Sequence, residues 1–243
     1  MIIGGLEKFT LIDFPNNLAA IVFTQGCNFR CHFCYNPMLV WPRTETPEPD
    51  EFHKEQGFSL IEEKDLFLFL ESRRGKIDGV VITGGEPTLQ ADLPEFIRKI
   101  RALGFLIKLD TNGTNPYMLE VLLKEGLLDY LAMDIKAPAE KYEQVVGVPV
   151  NLDNLEKSVK MIMASGVPYE FRSTLLPVFH QAEDIRNMGR MIKGADRWYL
   201  QKFKSDTGLV DATFEKKATY TDKELESLAL IGGEFVKECQ ARI

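Results

Sequence analysis

The sequence has no basic excess, no long apolar run, no internal repeats and few cysteines. Lysine and arginine number 29 against 36 aspartates and glutamates, giving a formal net charge of −7 and a pI near 5.2. Nucleic acid and acidic membranes are drawn to a positive field, so neither is an expected partner. No apolar stretch approaches the roughly 20 residues of a membrane-spanning helix. The opening Met-Ile-Ile-Gly-Gly-Leu-Glu-Lys has neither the basic start nor the apolar core of a signal peptide. The expected compartment is therefore the cytoplasm, where thiols stay reduced, and the 4 cysteines need a reason other than disulfides. Three of them, Cys27, Cys31 and Cys34, fall in one short stretch, and Cys239 stands alone. No further cysteine cluster is present.

At 243 residues with 45% hydrophobic and 27% charged side chains, the chain has the balance of an ordinary globular protein with a sizeable core. No linker divides it, so residues 1–243 read as a single domain: an N-terminal hairpin over 1–18, a partial barrel over 19–204, and a C-terminal extension with a helix over 205–243. One stretch, 42–57, is rich in Pro, Glu and Thr without apolar periodicity and reads as a surface loop.

Elsewhere short apolar runs alternate with helical periodicity. Strands are predicted over 19–24, 79–83, 105–110, 130–134, 169–175 and 197–201, with helices over 62–72, 93–103, 116–125, 152–165 and around 185–192. Strand–helix alternation at this spacing means βαβ units and a parallel sheet. The predicted fold class is α/β, a partial (β/α)6 TIM-type barrel; an open doubly wound sheet is the competing arrangement, which periodicity alone does not separate. Near the end, Thr221 and Glu224 form a capping-box signature. The helix they open is predicted to carry Leu225, Leu228, Phe235, Val236 and Cys239 on one apolar face, which makes Cys239 a small buried hydrophobe.

The segment Gly26-Cys27-Asn28-Phe29-Arg30-Cys31-His32-Phe33-Cys34-Tyr35-Asn36 directly follows the first predicted strand of the barrel. Thiols at these spacings cannot share one strand face, but a loop can wrap them around one centre. A closed structural zinc site needs four ligands, and His32, adjacent to Cys31, is poorly placed to be the fourth. A [4Fe–4S] cluster held by three cysteines instead of four keeps one iron open for something reactive.

Three predicted strands end in carboxylates. The second closes in Thr83-Gly84-Gly85-Glu86-Pro87, where glycine permits close approach of backbone to a ligand. The third closes in Asp110-Thr111-Asn112-Gly113 and the fourth in Asp134-Ile135-Lys136. In a parallel barrel the C-terminal strand ends open on one face, where active sites lie. Arg172, inside an apolar strand, is not expected to be buried unpaired.

The Cys-x3-Cys-x2-Cys motif resembles the signature of radical S-adenosylmethionine (SAM) enzymes. The resemblance implies a [4Fe–4S] cluster on Cys27, Cys31 and Cys34, whose open iron chelates the amino and carboxylate groups of SAM. It also implies one-electron cleavage of SAM to methionine and a 5′-deoxyadenosyl radical. Tyr35 or Phe33 would line the cluster loop, or simply pack. Gly84, Gly85 and Glu86 resemble the family's Gly-Gly-Glu element, which receives the methionine amino group. The Asp-Thr-Asn-Gly and Asp-Ile-Lys elements are similar to those of pyruvate formate-lyase activating enzymes. By that resemblance Asp110, Thr111 and Asp134 would hold a monovalent cation, Asn112 would join the cofactor site, and Lys136 would contact the SAM ribose. Arg172 would face the SAM carboxylate, a substrate peptide or a structural ion-pair partner. No catalytic side chain beyond cluster and SAM is expected. Two departures stand out: Cys34-Tyr35-Asn36 replaces the activases' Cys-His-Asn, and no histidine lies around Gln201-Lys202-Phe203. His180 precedes a helix and is expected at the surface.

The opening Gly5-Leu6-Glu7-Lys8-Phe9-Thr10-Leu11-Ile12-Asp13-Phe14-Pro15 resembles the N-terminal hairpin of activators of anaerobic ribonucleoside-triphosphate reductase. The expectation is an activase that makes a glycyl radical on a partner enzyme, fed by a flavodoxin- or ferredoxin-type donor. The alternatives are a radical SAM enzyme acting on a small molecule, an RNA base or a peptide, and a non-catalytic iron–sulfur or zinc module.

Overall fold

The computed structural model describes residues 1–41 and 59–243; the expected loop at 42–57 lies outside the described residues. Among the described residues, eight strands follow one another in one sheet in sequence order, β1 to β8. The chain divides into two compact units. The first comprises residues 1–28, 36–111 and 117–131, and the second 29–35, 112–116 and 132–243.

In the first unit, β1 (Ile3–Thr10) pairs antiparallel with β2 (Ala19–Thr24), which is the expected hairpin. A short helix α1 (Pro37–Val40) follows the cysteine loop, and α2 (Glu63–Arg73) leads into β3 (Gly79–Gly84). Next come α3 (Leu93–Ala102), β4 (Leu106–Thr111) and α4 (Pro116–Lys124), ahead of β5 (Tyr130–Asp134). Strands β2, β3 and β4 pair in parallel, with Ala19 opposite Gly79 and Gly79 opposite Leu106. Each is a short, nearly continuous apolar run, as expected of strands covered on both faces. Phe14, Ala19, Ile21, Val81 and Tyr130 form one buried cluster, with the Phe14 and Tyr130 rings 6.2 Å apart at 56°.

The second unit continues with α5 (Tyr142–Val146), α6 (Leu152–Ala164), β6 (Tyr169–Leu175), α7 (Ala182–Met191) and β7 (Arg197–Lys202). On α6, Leu155, Val159 and Ile162 are buried. Trp198 of β7 is fully buried, and its indole N–H donates to Ser173 Oγ at 2.9 Å.

The C-terminus corrects the sequence expectation. The capping box is formed: Thr221 Oγ1 accepts from Glu224 N while Glu224 Oε2 accepts from Thr221 N. The helix it opens, α8, runs Asp222–Gly232 and stops. Glu238–Arg242 is a strand, β8, parallel to β7 with Cys239 opposite Trp198. Cys239 is therefore on a strand and not on a helical stripe. Its thiol is half-buried, and burial pushes its pKa up to about 12. Arg242 secures β8 by a bidentate pair to buried Glu170, at 2.9 and 2.8 Å, and lies over the Tyr199 ring.

His180 also departs from expectation: it is fully buried. Its Nδ1 accepts from Leu176 N at 3.0 Å and its Nε2 lies 2.9 Å from the Lys136 carbonyl, which requires the neutral Nε2–H tautomer. Burial holds its pKa below the ordinary 6.5. The unfolded chain takes up this proton first, so the stability it contributes is present above about pH 6.5 and is lost as pH falls below it. His180→Gln should flatten the acid limb of a thermal-midpoint profile; a limb as steep as the parent's would show that another group controls it.

Among the described residues, no helix is long and apolar enough to cross a membrane.

Candidate active site

In the first unit the strand-end residues converge around Glu86. Gly84 ends β3 at φ +117°, a conformation open to glycine, and Gly85 N donates to the Thr24 carbonyl at 2.9 Å. A Cβ on Gly85 would stand 2.1 Å from the Gly26 carbonyl oxygen and 3.0 Å from that of Leu39. These contacts are backbone, so the Gly-Gly turn is required by its fit against the strand that leads into Cys27. Cys27 itself is oriented by its N–H, which donates to Val40 O at 3.0 Å.

Glu86 is 1% exposed, and its Oε1 accepts from Thr88 N at 3.1 Å, Thr88 Oγ1 at 2.5 Å and Thr111 Oγ1 at 2.7 Å. A carboxylate accepting these donors is held in one rotamer. Thr111 thus acts on Glu86, and Thr88, which sequence reasoning missed, does the same from two residues away. Asp110 accepts from the Lys108 ammonium, which is 1% exposed and lies over the Tyr130 ring. Lys108 was also missed; a lysine inside an apolar strand at the i−2 position from an aspartate was its visible signal.

In the second unit, the loop 29–35 carries Cys31 and Cys34. Cys34 N donates to Cys31 O at 3.0 Å, closing a tight turn between the two thiols. Arg30 N donates to Val146 O at 2.8 Å. His32 is turned to Asp211, its Nδ1 3.0 Å from Oδ2, and stacks on Phe214. The histidine considered as a fourth ligand is engaged by a carboxylate.

Asp134, at the end of β5, is bound by Lys136 Nζ at 2.9 Å and Arg172 Nε at 3.0 Å. Burial works to raise its pKa, but the two cations outweigh that and hold it well below the carboxylate range. For Lys136, burial opposes the charge while Asp134 and the Cys31 and Cys34 thiols favour it, so its pKa is raised. The second unit thus places the Lys136 ammonium in the field of two cysteines. Tyr35 stacks on Phe203, and its hydroxyl accepts from Lys204 N at 2.8 Å. Asn112 Oδ1 accepts from Thr114 N at 3.0 Å and Thr114 Oγ1 at 2.7 Å, fixing the turn after β4.

In the second unit Cys31 and Cys34 are soft donors on a loop without regular structure, with the Lys136 ammonium in their field, which is the ligand chemistry an iron–sulfur cluster takes.

A Methanocaldococcus jannaschii protein provisionally named a glycyl-radical enzyme activating enzyme is 31% identical over 242 residues, 97% of this chain and 93% of its own. A provisionally named GTP 3′,8-cyclase of Pyrococcus abyssi is 34% identical over 142 residues, 58% of this chain and 41% of its own. The solved structure of Streptococcus suis SuiB bound to precursor peptide SuiA shares the fold, with a TM-score of 0.65 and 19% identity. That match covers 92% of this chain and 47% of SuiB. A domain of pyruvate-formate lyase-activating enzyme from Bacteroides vulgatus matches with a TM-score of 0.50 and 16% identity, over 68% of this chain and 98% of that domain. Residues 21–192 match the radical SAM superfamily, whose members use a [4Fe–4S] cluster and SAM, and the chain belongs to that superfamily of enzymes.

Proposed function

We propose that the protein is a glycyl-radical-enzyme activase and that its partner is anaerobic ribonucleoside-triphosphate reductase. The observation that supports the activase reading is the likeness to the Methanocaldococcus jannaschii protein over 97% of this chain and 93% of the other; the reductase as partner rests on the resemblance of the opening segment to the hairpin of that reductase's activators. The cyclase likeness, which favours a small-molecule substrate as the second reading, spans only 41% of the cyclase.

Cys27, Cys31 and Cys34 would hold the cluster, which when bound supplies the electron that cleaves SAM to methionine and a 5′-deoxyadenosyl radical. Glu86, fixed by Thr88 and Thr111, would accept the SAM ammonium, and the Gly84-Gly85 backbone would let the methionine moiety approach. Lys136 would reach the ribose, and Arg172 would offer a cation to the carboxylate or to the partner's peptide. Tyr35 would wall the cluster loop, and Asn112 would shape the turn beside it.

A monovalent cation would take Asp110, Thr111 and Asp134 as ligands; Thr111 donates to Glu86, Asp110 accepts from the Lys108 ammonium, and Asp134 is paired with Lys136 and Arg172. The electron would come from a flavodoxin- or ferredoxin-type donor.

The partner's glycine must sit at near-attack distance, about 3–3.5 Å between reacting atoms, so its loop must leave its own fold to reach the site. Electron paramagnetic resonance of the reduced protein with SAM and the partner should show a glycyl-radical doublet, absent when the partner's glycine is replaced by alanine. Silence with the reductase, alongside 5′-deoxyadenosine formation stimulated by a metabolite, would hand the reading to the small-molecule alternative.

A further inference from the structure

The residues His32–Tyr35, which carry Cys34 and adjoin Cys31, have no helix or strand of their own. Each of the four is tied to the segment 203–214 that follows β7. His32 O accepts from Asp211 N at 3.0 Å, and Cys34 O accepts from Val210 N at 3.2 Å. Tyr35 Oη accepts from Lys204 N at 2.8 Å. Side chains repeat the pattern. Phe33 meets the edge of Phe203 at 6.3 Å, and Tyr35 stacks on the same ring at 6.1 Å. The His32 ring stacks on Phe214 at 5.1 Å and 13°, and Phe214 stacks in turn on Phe179 at 5.4 Å.

Asp211 joins the two sides. Its Oδ2 holds His32 Nδ1 at 3.0 Å, while its Oδ1 accepts from Thr213 N at 2.9 Å and Thr213 Oγ1 at 2.6 Å. The second set caps the single 3-10 turn Ala212–Phe214, which presents Phe214 to His32. One carboxylate therefore both builds the turn and fastens it to the residue beside Cys31.

We propose that segment 203–214 is a strap that pre-orders the Cys31–Cys34 loop for its cluster, with Asp211 as the positioning residue. A loop without internal ladder bonds would otherwise lose its conformational freedom only when the cluster arrives, and that loss would weaken retention. The strap fixes the backbone between the two thiols and just beyond Cys34 beforehand. Asp211 touches no ligand; it acts through His32 and the turn it caps. The inference rests on the cysteines holding a cluster and is independent of the activase reading.

The test is cluster retention. Anaerobically reconstituted holoenzyme is challenged with an iron chelator while the charge-transfer absorbance is followed, for the parent, Asp211→Ala, Asp211→Asn and Phe214→Ala. Removing a partner that orients metal ligands typically costs 10- to 100-fold in metal affinity, so Asp211→Ala should lose iron about tenfold faster or more. Phe214→Ala should follow it. Asp211→Asn keeps the cap's acceptor and the shape, so it folds as the parent does and should fall between the two. Thermal midpoints of the metal-free proteins separate the strap from general destabilisation: they should stay close to the parent's. Chelation of Asp211→Ala and Phe214→Ala at the parent's rate would overturn the strap. Full iron in Cys31→Ala would instead overturn the cluster assignment beneath it.

Discussion

Alanine at Cys27, Cys31 or Cys34 should leave the anaerobically reconstituted protein without its full iron content and without a brown, air-sensitive chromophore, while alanine at Cys239 should leave both intact. The cluster already has one thiolate fewer than its four irons, so no spare ligand compensates for losing another. Cys31 and Cys34 are joined by the 3.0 Å turn bond and lie in the field of the Lys136 ammonium. Cys239 sits on β8 with a thiol pushed up to about 12, so it stays protonated at neutral pH and is a poor ligand. Iron per chain and visible absorbance for the four variants decide the matter. Full iron in Cys31→Ala, or its loss in Cys239→Ala, would sink the assignment.

The second large effect is expected at Glu86, and two variants separate its roles. Glu86→Ala removes the acceptor for Thr88 N, Thr88 Oγ1 and Thr111 Oγ1 in a place that is 1% exposed. Stranded buried donors cost about 1–3 kcal/mol, so the thermal midpoint should fall along with SAM affinity. Glu86→Gln keeps the shape and an acceptor oxygen but not the charge. Its thermal midpoint should remain near the parent's, while SAM binding weakens by about 1.5–3 kcal/mol, the worth of a hydrogen bond to a charged group. That is roughly tenfold or more in dissociation constant. Parent-like SAM affinity in both variants would mean that Gly84-Gly85-Glu86 is only a turn.

The barrel strands were legible because each is a short apolar run closed by glycine or by a polar residue. Strands β2, β5 and β6 have the predicted ends, and β3, β4 and β7 differ by about a residue. The last strand was hidden by coincidence: Phe235, Val236 and Cys239 continue the helical spacing of Leu225 and Leu228 across a break. The pair Gly232-Gly233 was the local signal that α8 stops there.

At the site, residue types and strand-end positions were readable, but their partners were not. The pairing of Thr111 with Glu86 spans 25 positions and that of His32 with Asp211 spans 179, so neither leaves a periodic trace. His180 misled for the same reason. It precedes a helix, where exposure is the usual expectation, and is buried only because the Lys136 carbonyl, 44 positions away, accepts its N–H.

The central claim is that the hydrogen is taken from a glycine of a protein partner, and isotope transfer tests it most directly. The partner is prepared with glycine deuterated at its α-carbon and mixed anaerobically with the reduced protein and SAM, and the 5′-deoxyadenosine formed is weighed by mass spectrometry. The account predicts one deuterium in that product, and none when the partner's radical-site glycine is replaced by alanine. Unlabelled 5′-deoxyadenosine, formed at the same rate with either partner, would contradict it.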